Sequence, residues 1–348
     1  MAINAEKLHA ILNRKLKPLV KKVDEEAFYA SEYLYELGKA GFFDSFHKTK
    51  EEILLDELLL VRETAKVCMT TAFCLWCHLA SLTYIRQTEN KALREKLLPK
   101  LENGEVLGAT GLSNPMKFYA DLEKLLLKAE KVDGGYIING ILPAVSNLGD
   151  NHWFGAIASL NDEQEVMVFV NTNNENIKLK EKVSFVGLNG SATYSCRFEN
   201  TFVKDDFVIS HNAHQFADQI RPTFVLYQIP LGLGVMEASV KGIKKVSAKQ
   251  KGCNSYLRVQ AEDISNNIEE LDQQLKKALK SMNLKEICEL RLQSVYETLN
   301  ATQANMLHNG SAGYIEGSVP SRILRESYFF ANLTPTVRQL EKMVKHLQ

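Results

Sequence analysis

From Glu6 to about Leu101 apolar residues recur at helical spacing, with Ala27, Leu34, Leu37 and Phe42 in one stretch and Ile53, Leu54, Leu58, Val61 and Ala65 in the next. That period predicts three or four amphipathic helices. Gly38, Gly41 and Asp44-Ser45-Phe46-His47 interrupt the first two, and Pro99 with Asn103-Gly104 closes the helical region. Between Glu105 and about Ser210 the pattern changes to short β-branched or alternating runs: 135–139, 153–158, 166–170 and 194–198. Turn clusters at Asp133-Gly134, Asn139-Gly140, 171–174 and Asn189-Gly190 separate them. From about His214 the helical period returns in long charged stretches, Val235 to Lys251, Val259 to Met282 and Leu284 to His308, with a loop at 310–319 and two shorter helices after it.

The expectation is an α+β multidomain chain: an N-terminal helical domain over 1–104, a central antiparallel β-barrel or sandwich over 105–211, and a C-terminal four-helix bundle over 212–348.

Composition narrows the function classes. The 348 residues are 45% hydrophobic and 24% charged, so disorder and low complexity are excluded. Lys+Arg and Asp+Glu both number 42, which leaves no basic excess to attract nucleic acid or anionic lipid. The most apolar stretch, Phe224 to Val240, is broken by Gln228 and Glu237, and no membrane span is expected. The charged first residues lack an apolar signal core, and a cytoplasmic location is the expectation. Six scattered cysteines read as reduced thiols.

One local motif invites a sharper reading. Cys74-Leu-Trp-Cys-His78 has the spacing of covalent haem attachment, and a redox thiol pair is a further option. Its place inside an apolar helical run favours a core or pocket-wall helix over both, and zinc lacks a second ligand pair. Gly232-Leu-Gly-Val is read as close helix packing rather than a phosphate loop, since no Lys-Ser/Thr ending follows. His152 and Trp153 are read as structural, although both stand beside the predicted hairpin.

Several separated segments together resemble the acyl-CoA dehydrogenase superfamily. Glu95 to Pro115, ending Gly-Ala-Thr110-Gly-Leu112-Ser113-Asn-Pro, is similar to the family's "LP…G…TEP" passage into its β domain. Ala129 to Gly140 resembles the "A…G-D-x-Y-x-L-N-G" hairpin, and Gly187 to Ala192 with Phe198 to Val208 resembles "G-x-R-G-T/S" and "F-x-x-V-x-V-P". Near the end, Asn309-Gly-Ser-Ala-Gly-Tyr314, Pro320 and Arg325-Glu326 are similar to "GG-x-G-Y…P-x-x-R-x-x-RD".

The resemblance implies FAD held between the β domain and the bundle, and carries specific residues with it. Thr110, Leu112 and Ser113 fall where the family offers groups to the isoalloxazine. Ala144 and Ser146 replace a Trp-x-Thr pair, so the donor is kept at Ser146 and the aromatic wall is lost at Ala144. Lys251, in the segment Gln250 to Asn254, stands where a neighbouring protomer usually supplies an arginine for the pyrophosphate, and Gly310 and Gly313 fall on the loop that meets the ADP part. Thr336 is the remaining flavin-contact position.

The sharpest departure is Thr334, which occupies the place of the family's catalytic Glu. A hydroxyl of very high pKa does not remove an α-proton unaided. Thr334-Pro335 also reads as an N-cap and first-turn pair for the last helix. The resemblance therefore implies a FAD-dependent oxidoreductase acting on an acyl thioester, with an electron-transfer flavoprotein or flavin reductase as partner and a homodimer or homotetramer as the assembly. Two alternatives stand beside it: a monooxygenase of the same fold using reduced flavin and O2, and an accessory homologue that has lost chemistry.

Overall fold

A computed structural model describes residues 4–182, 184–249 and 251–347. The N-terminal layer contains α1 (Ala5–Ile11), α2 (Val20–Glu25), α3 (Ser31–Lys39), α4 (Lys50–Val67), α5 (Met69–Gln87) and α6 (Lys91–Glu102). Helix α4 starts on a capping box, with the Thr49 side chain accepting from the Glu52 amide and the Glu52 carboxylate accepting from the Thr49 amide.

Helix α5 has no polar face. Every residue from Met69 to Ile85 is buried, because α4, α6, the sheet and the C-terminal helices surround it. Several of its polar groups are met inside the protein: Ser81 Oγ donates to the Ala109 carbonyl at 2.6 Å, and His78 Nδ1 accepts the Gly108 amide at 2.9 Å.

The central strands are β1 (Gly108–Thr110), β2 (Leu127–Val132), β3 (Gly135–Val145), β4 (Trp153–Ser159), β5 (Glu165–Asn171), β6 (Ile177–Lys182), β7 (Thr193–Lys204) and β8 (Val208–Ser210). They form one sheet in the order β6-β7-β3-β2-β4-β5-β8, with β1 beside β4. Most pairings are antiparallel, as expected, but β1 and β2 both run parallel to β4, so the sheet is mixed. Strands β4 and β5 are buried on both faces and read as nearly unbroken apolar runs. A short helix not anticipated from the turn pattern, α7 (Ser113–Phe118), follows β1; Pro115 falls in its first turn, where a missing N–H costs nothing.

The C-terminal layer contains α8 (Ala213–Leu226), α9 (Ile229–Ser247), α10 (Ala261–Ser281), α11 (Leu284–Asn309), α12 (Val319–Asn332) and α13 (Val337–His346). Helices α9 and α11 are the centre of the bundle, with α10 and α12 alongside. Gly232 and Gly234 serve packing: a Cβ at the first would lie 2.6 Å from Thr298 Oγ1, and at the second 2.6 Å from the Arg62 carbonyl. The stretch Ala213–Ser247 is long and apolar enough to cross a membrane by length and composition alone, but 83% of its most apolar window is buried within the protein.

The cap expected at Thr334 lies two residues later. Thr336 caps α13, accepting from the Gln339 amide while Gln339 accepts from the Thr336 amide. The reciprocal box satisfies two amides, which a cap at Thr334 with proline next to it would not do.

Arginines lock the layers together. Arg62 on α4 forks onto Asp272 of α10 at 2.6 and 3.0 Å and reaches Glu237 of α9 at 2.8 Å. Arg325 of α12 forks onto Asp24 of α2 at 2.8 and 2.6 Å and donates to the Val186 carbonyl beyond β6.

Candidate active site

Six elements of the chain close on one crevice of about 120 Å³. The end of β1 supplies Thr110, the start of α7 supplies Ser113, and the end of β3 supplies Ala144 and Ser146. The end of α12 supplies Phe329, Asn332, Leu333 and Thr334, while Phe73, Trp76 and Cys77 of α5 and Phe224 of α8 form the wall. An antiparallel bridge between Thr110 and Ser146 sets those two residues side by side.

The crevice hydroxyls satisfy one another and their neighbours. Ser113 and Thr334 hydrogen-bond at 3.0 Å, Ser146 and Thr193 at 2.7 Å, and Thr110 and Tyr84 at 2.7 Å. The Thr334 carbonyl accepts from Gln228 Nε2 at 2.9 Å. Aromatic rings build the apolar side: Phe73 stacks on Trp76 with centroids 5.7 Å apart, Phe329 meets Phe73 edge-on at 4.8 Å, and Phe224 meets Trp76 likewise at 4.8 Å. The Trp76 ring N–H is tied to the Phe224 carbonyl at 3.2 Å, which fixes the indole.

Among the described residues no Asp, Glu, His, Lys or Arg lines this crevice. The Cys77 thiol is pushed far above its ordinary pKa by burial, then by the neighbouring Cys74, so it stays protonated. The crevice offers hydroxyl donors and acceptors and no group that takes a proton at neutral pH.

A second, wider cavity of about 400 Å³ lies beyond Pro335. Met116, Val225, Met343 and Leu347 give it apolar walls, and Arg221, Lys342 and His346 stand along it. Arg221 is paired with Asp218 at 2.8 Å, and Lys342 Nζ donates to the Ala120 carbonyl at 2.7 Å. The Thr334-Pro335 peptide is the partition, since Thr334 lines one cavity and Pro335 the other.

The remaining residues singled out in the sequence are dispersed. Leu112 is fully buried, and its amide donates to Thr110 Oγ1 at 3.3 Å. Thr336 is engaged in the α13 cap. Lys251 is exposed with a left-handed backbone (φ 48), and Gly310 and Gly313 stand at the far end of α11; none of the three lines the crevice within one chain. A hydrogen bond of 3.0 Å from Asn254 Nδ2 to the His308 carbonyl ties the loop after Lys251 to that end of α11. Gln250, from the same segment, lies outside the described residues.

The Cys74-Cys77-His78 stretch is a core and pocket-wall segment. His78 packs on Phe43 at 4.5 Å, and burial, helped by the Arg86 charge, lowers its pKa to about 3. His152 is buried with Nδ1 on the Asn147 carbonyl at 2.9 Å and Nε2 on the Tyr35 hydroxyl at 3.1 Å, away from the crevice. Sequence reasoning did not single out Gln228 or the individual rings of Phe224 and Phe329; the apolar period marked their helices as core and carried no sign of which turn faces an opening.

This fold agrees with comparisons to known proteins. The family described as acyl-CoA dehydrogenase, N-terminal domain, matches residues 4–105. Benzylmalonyl-CoA dehydrogenase of Aromatoleum aromaticum is 23% identical over 248 residues, covering 69% of this chain and 66% of that protein. Mitochondrial isovaleryl-CoA dehydrogenase of Arabidopsis thaliana is 32% identical over 122 residues, 34% of this chain and 30% of its own length. The chain thus spans less than two thirds of either relative. The structure of butyryl-CoA dehydrogenase from Megasphaera elsdenii superposes with a TM-score of 0.86 at 19% identity, covering 98% of this chain and 95% of the other. The N-terminal third of the chain thus matches the acyl-CoA dehydrogenase N-terminal domain family, and the chain along nearly its whole length has the acyl-CoA dehydrogenase fold.

Proposed function

We propose that the crevice takes the ring of FAD and the wider cavity the arm of an acyl thioester, making the chain a FAD-dependent oxidoreductase that acts on activated acyl groups. One observation carries this reading: Thr110, Ser113, Ser146 and Thr334, far apart in sequence, converge on one crevice walled by aromatic rings. That donor set fits a flavin ring, with O–H groups for its carbonyl oxygens and ring nitrogens and apolar faces for its planes. At about 120 Å³ the crevice encloses less than a whole ligand, and exposed Ala144 marks its open mouth, where the rest of the ring would lie. Lys251 and the Gly310–Gly313 turn are offered outward, in keeping with a second copy of the chain whose cofactor phosphates they would meet.

FAD, when bound, supplies the acceptor for two electrons. The chain's own part is to hold and orient. Ser113 and Thr334 face each other across the crevice, and the aromatic wall excludes water. With no carboxylate present, the α-proton of an ordinary thioester has no acceptor here. The substrates favoured are thioesters whose α-carbon already carries a second electron-withdrawing group, so that the α-proton is acidic enough to pass to solvent water at the open mouth beside Ala144 while the hydride passes to the flavin. A second reading, oxygenation by reduced flavin and O2, is supported by that missing carboxylate and by the open mouth at Ala144, and its partner would be a flavin reductase rather than an electron-transfer flavoprotein.

Anaerobic titration of the FAD-loaded protein with a panel of acyl thioesters decides between them. Bleaching of the flavin by activated thioesters is the expected result. No bleaching, together with reductase-dependent O2 consumption, selects the oxygenase, and a protein that stays colourless in excess FAD overturns both.

A further inference from the structure

Arg291 and Arg322 are buried in the helical core and Arg86 is largely shielded there, and the last two face a carboxylate. Arg86 contacts Glu57 at 2.7 Å and Arg322 contacts Glu326 at 2.7 Å. Arg291, on α11, is fully buried and has no carboxylate within ion-pair distance among the described residues. Its Nε donates to Gln228 Oε1 at 2.9 Å, an NH2 group donates to the Phe330 carbonyl at 2.8 Å, and the guanidinium lies 3.7 Å from the centre of the Phe330 ring. Its remaining terminal nitrogen is buried without a partner. Burial lowers its pKa to about 9, and the nearby Cys288 thiol opposes that only in part, so the group is charged at neutral pH.

An unpaired buried cation is costly to the fold, and an apolar side chain of similar size is often tolerated better. Arg291 is also connected to the crevice. The Gln228 amide that accepts from Arg291 donates from its other end to the Thr334 carbonyl, and Phe330 is flanked by the crevice residue Phe329. The ionised group nearest by hydrogen bonding to this carboxylate-free crevice is therefore positive.

We propose that Arg291 is a positioning residue for the crevice: through Gln228 it fixes the Thr334 carbonyl, and its uncompensated charge makes the crevice favour an anionic occupant, the reduced over the oxidised flavin ring. This rests on the flavin reading above. Reduction adds electron density to the ring and lets it ionise near neutrality, so a positive field behind the crevice tightens the reduced form more than the oxidised one. A residue that only held the fold would alter both forms alike.

The test is the midpoint potential of bound FAD together with its affinity in the oxidised state. In Arg291→Met, oxidised FAD is expected to bind within about twofold of wild type, while the preference for the reduced form falls about tenfold, a drop of about 30 mV for a two-electron couple. Arg291→Lys keeps the charge and is expected to recover most of that potential. If Arg291→Met does not fold, Cys288→Asp sets a carboxylate one helical turn from the guanidinium and should give the same drop. An unchanged potential in folded variants, or equal weakening of both redox forms, overturns the proposal while leaving the flavin reading intact. A wild-type protein that takes up FAD in neither state overturns both.

Discussion

At the seams between helices Glu57 lies buried against Arg86 and Tyr227, and Glu326 against Arg322 and Thr70. In the crevice Thr110, Ser113, Ser146 and Thr334 are paired hydroxyl to neutral hydroxyl instead. The difference is one of commitment. A buried carboxylate facing a guanidinium cannot change partners without leaving a charge stranded in low dielectric. A hydroxyl can turn its hydrogen toward a ligand and exchange one neutral bond for another of similar strength. The acidic side chain that the resemblance implies is not found in the adaptable region among the described residues, while acidic side chains stand where they join helices.

Breaking the seam should therefore cost far more than trimming the crevice. Glu326→Ala is expected to lose about 3–5 kcal/mol in urea unfolding, because Arg322 and the Thr70 amide lose a buried partner. Thr334→Ala should lose about 0.5–1.5 kcal/mol, and equal losses would abolish the distinction. Next in size, Thr334→Glu places a proton acceptor in the crevice and should raise thioester-dependent flavin bleaching by about a hundredfold or more. An unchanged rate in the FAD-loaded variant would put residue 334 out of reach of the α-carbon.

Acid probes the helical core, at His78 on α5. The unfolded chain binds a proton on His78 near its ordinary pKa of 6.5, whereas the fold refuses it until about pH 3. Unfolded protein thus holds more protons in that window, so stability declines as pH falls through it and is level above. His78→Gln should flatten the slope seen in urea melts, and a slope identical to wild type would assign the decline to other groups. The smallest effect belongs to the crevice mouth, where Ala144→Trp should restore an aromatic wall and tighten FAD about fivefold in a fluorescence titration, in line with roughly 1 kcal/mol for such packing.

Much of the architecture was legible because periodicity is a property of burial. The short β-branched or alternating runs at 135–139, 153–158 and 166–170 are strands β3, β4 and β5, and the long charged stretches are α9, α10 and α11. The parallel pairing of β1 and β2 with β4 was not legible, since direction depends on chain crossings that no local pattern records. In the crevice, Thr110, Ser113, Ala144, Ser146 and Thr334 came from the resemblance and stand together. Lys251 and the Gly310 turn stand apart from them in a single chain, which local sequence cannot report. The Thr336 cap had a visible Thr-x-x-Gln signature that the adjacent Thr334-Pro335 obscured. Arg291 gave no signal, because an arginine in a charged helix looks solvated until its surroundings are known.

The peptide between Thr334 and Pro335 is a party wall. With the cofactor ring in the narrow chamber and the thioester in the wide one, as proposed above, a shift of this peptide on filling either chamber would couple their occupancy. By reciprocity, a thioester that tightens the grip on the cofactor must itself be gripped more tightly when the cofactor is in place. Loss of cofactor from the resting protein and poor retention of substrate would then be a single property of one short stretch of backbone.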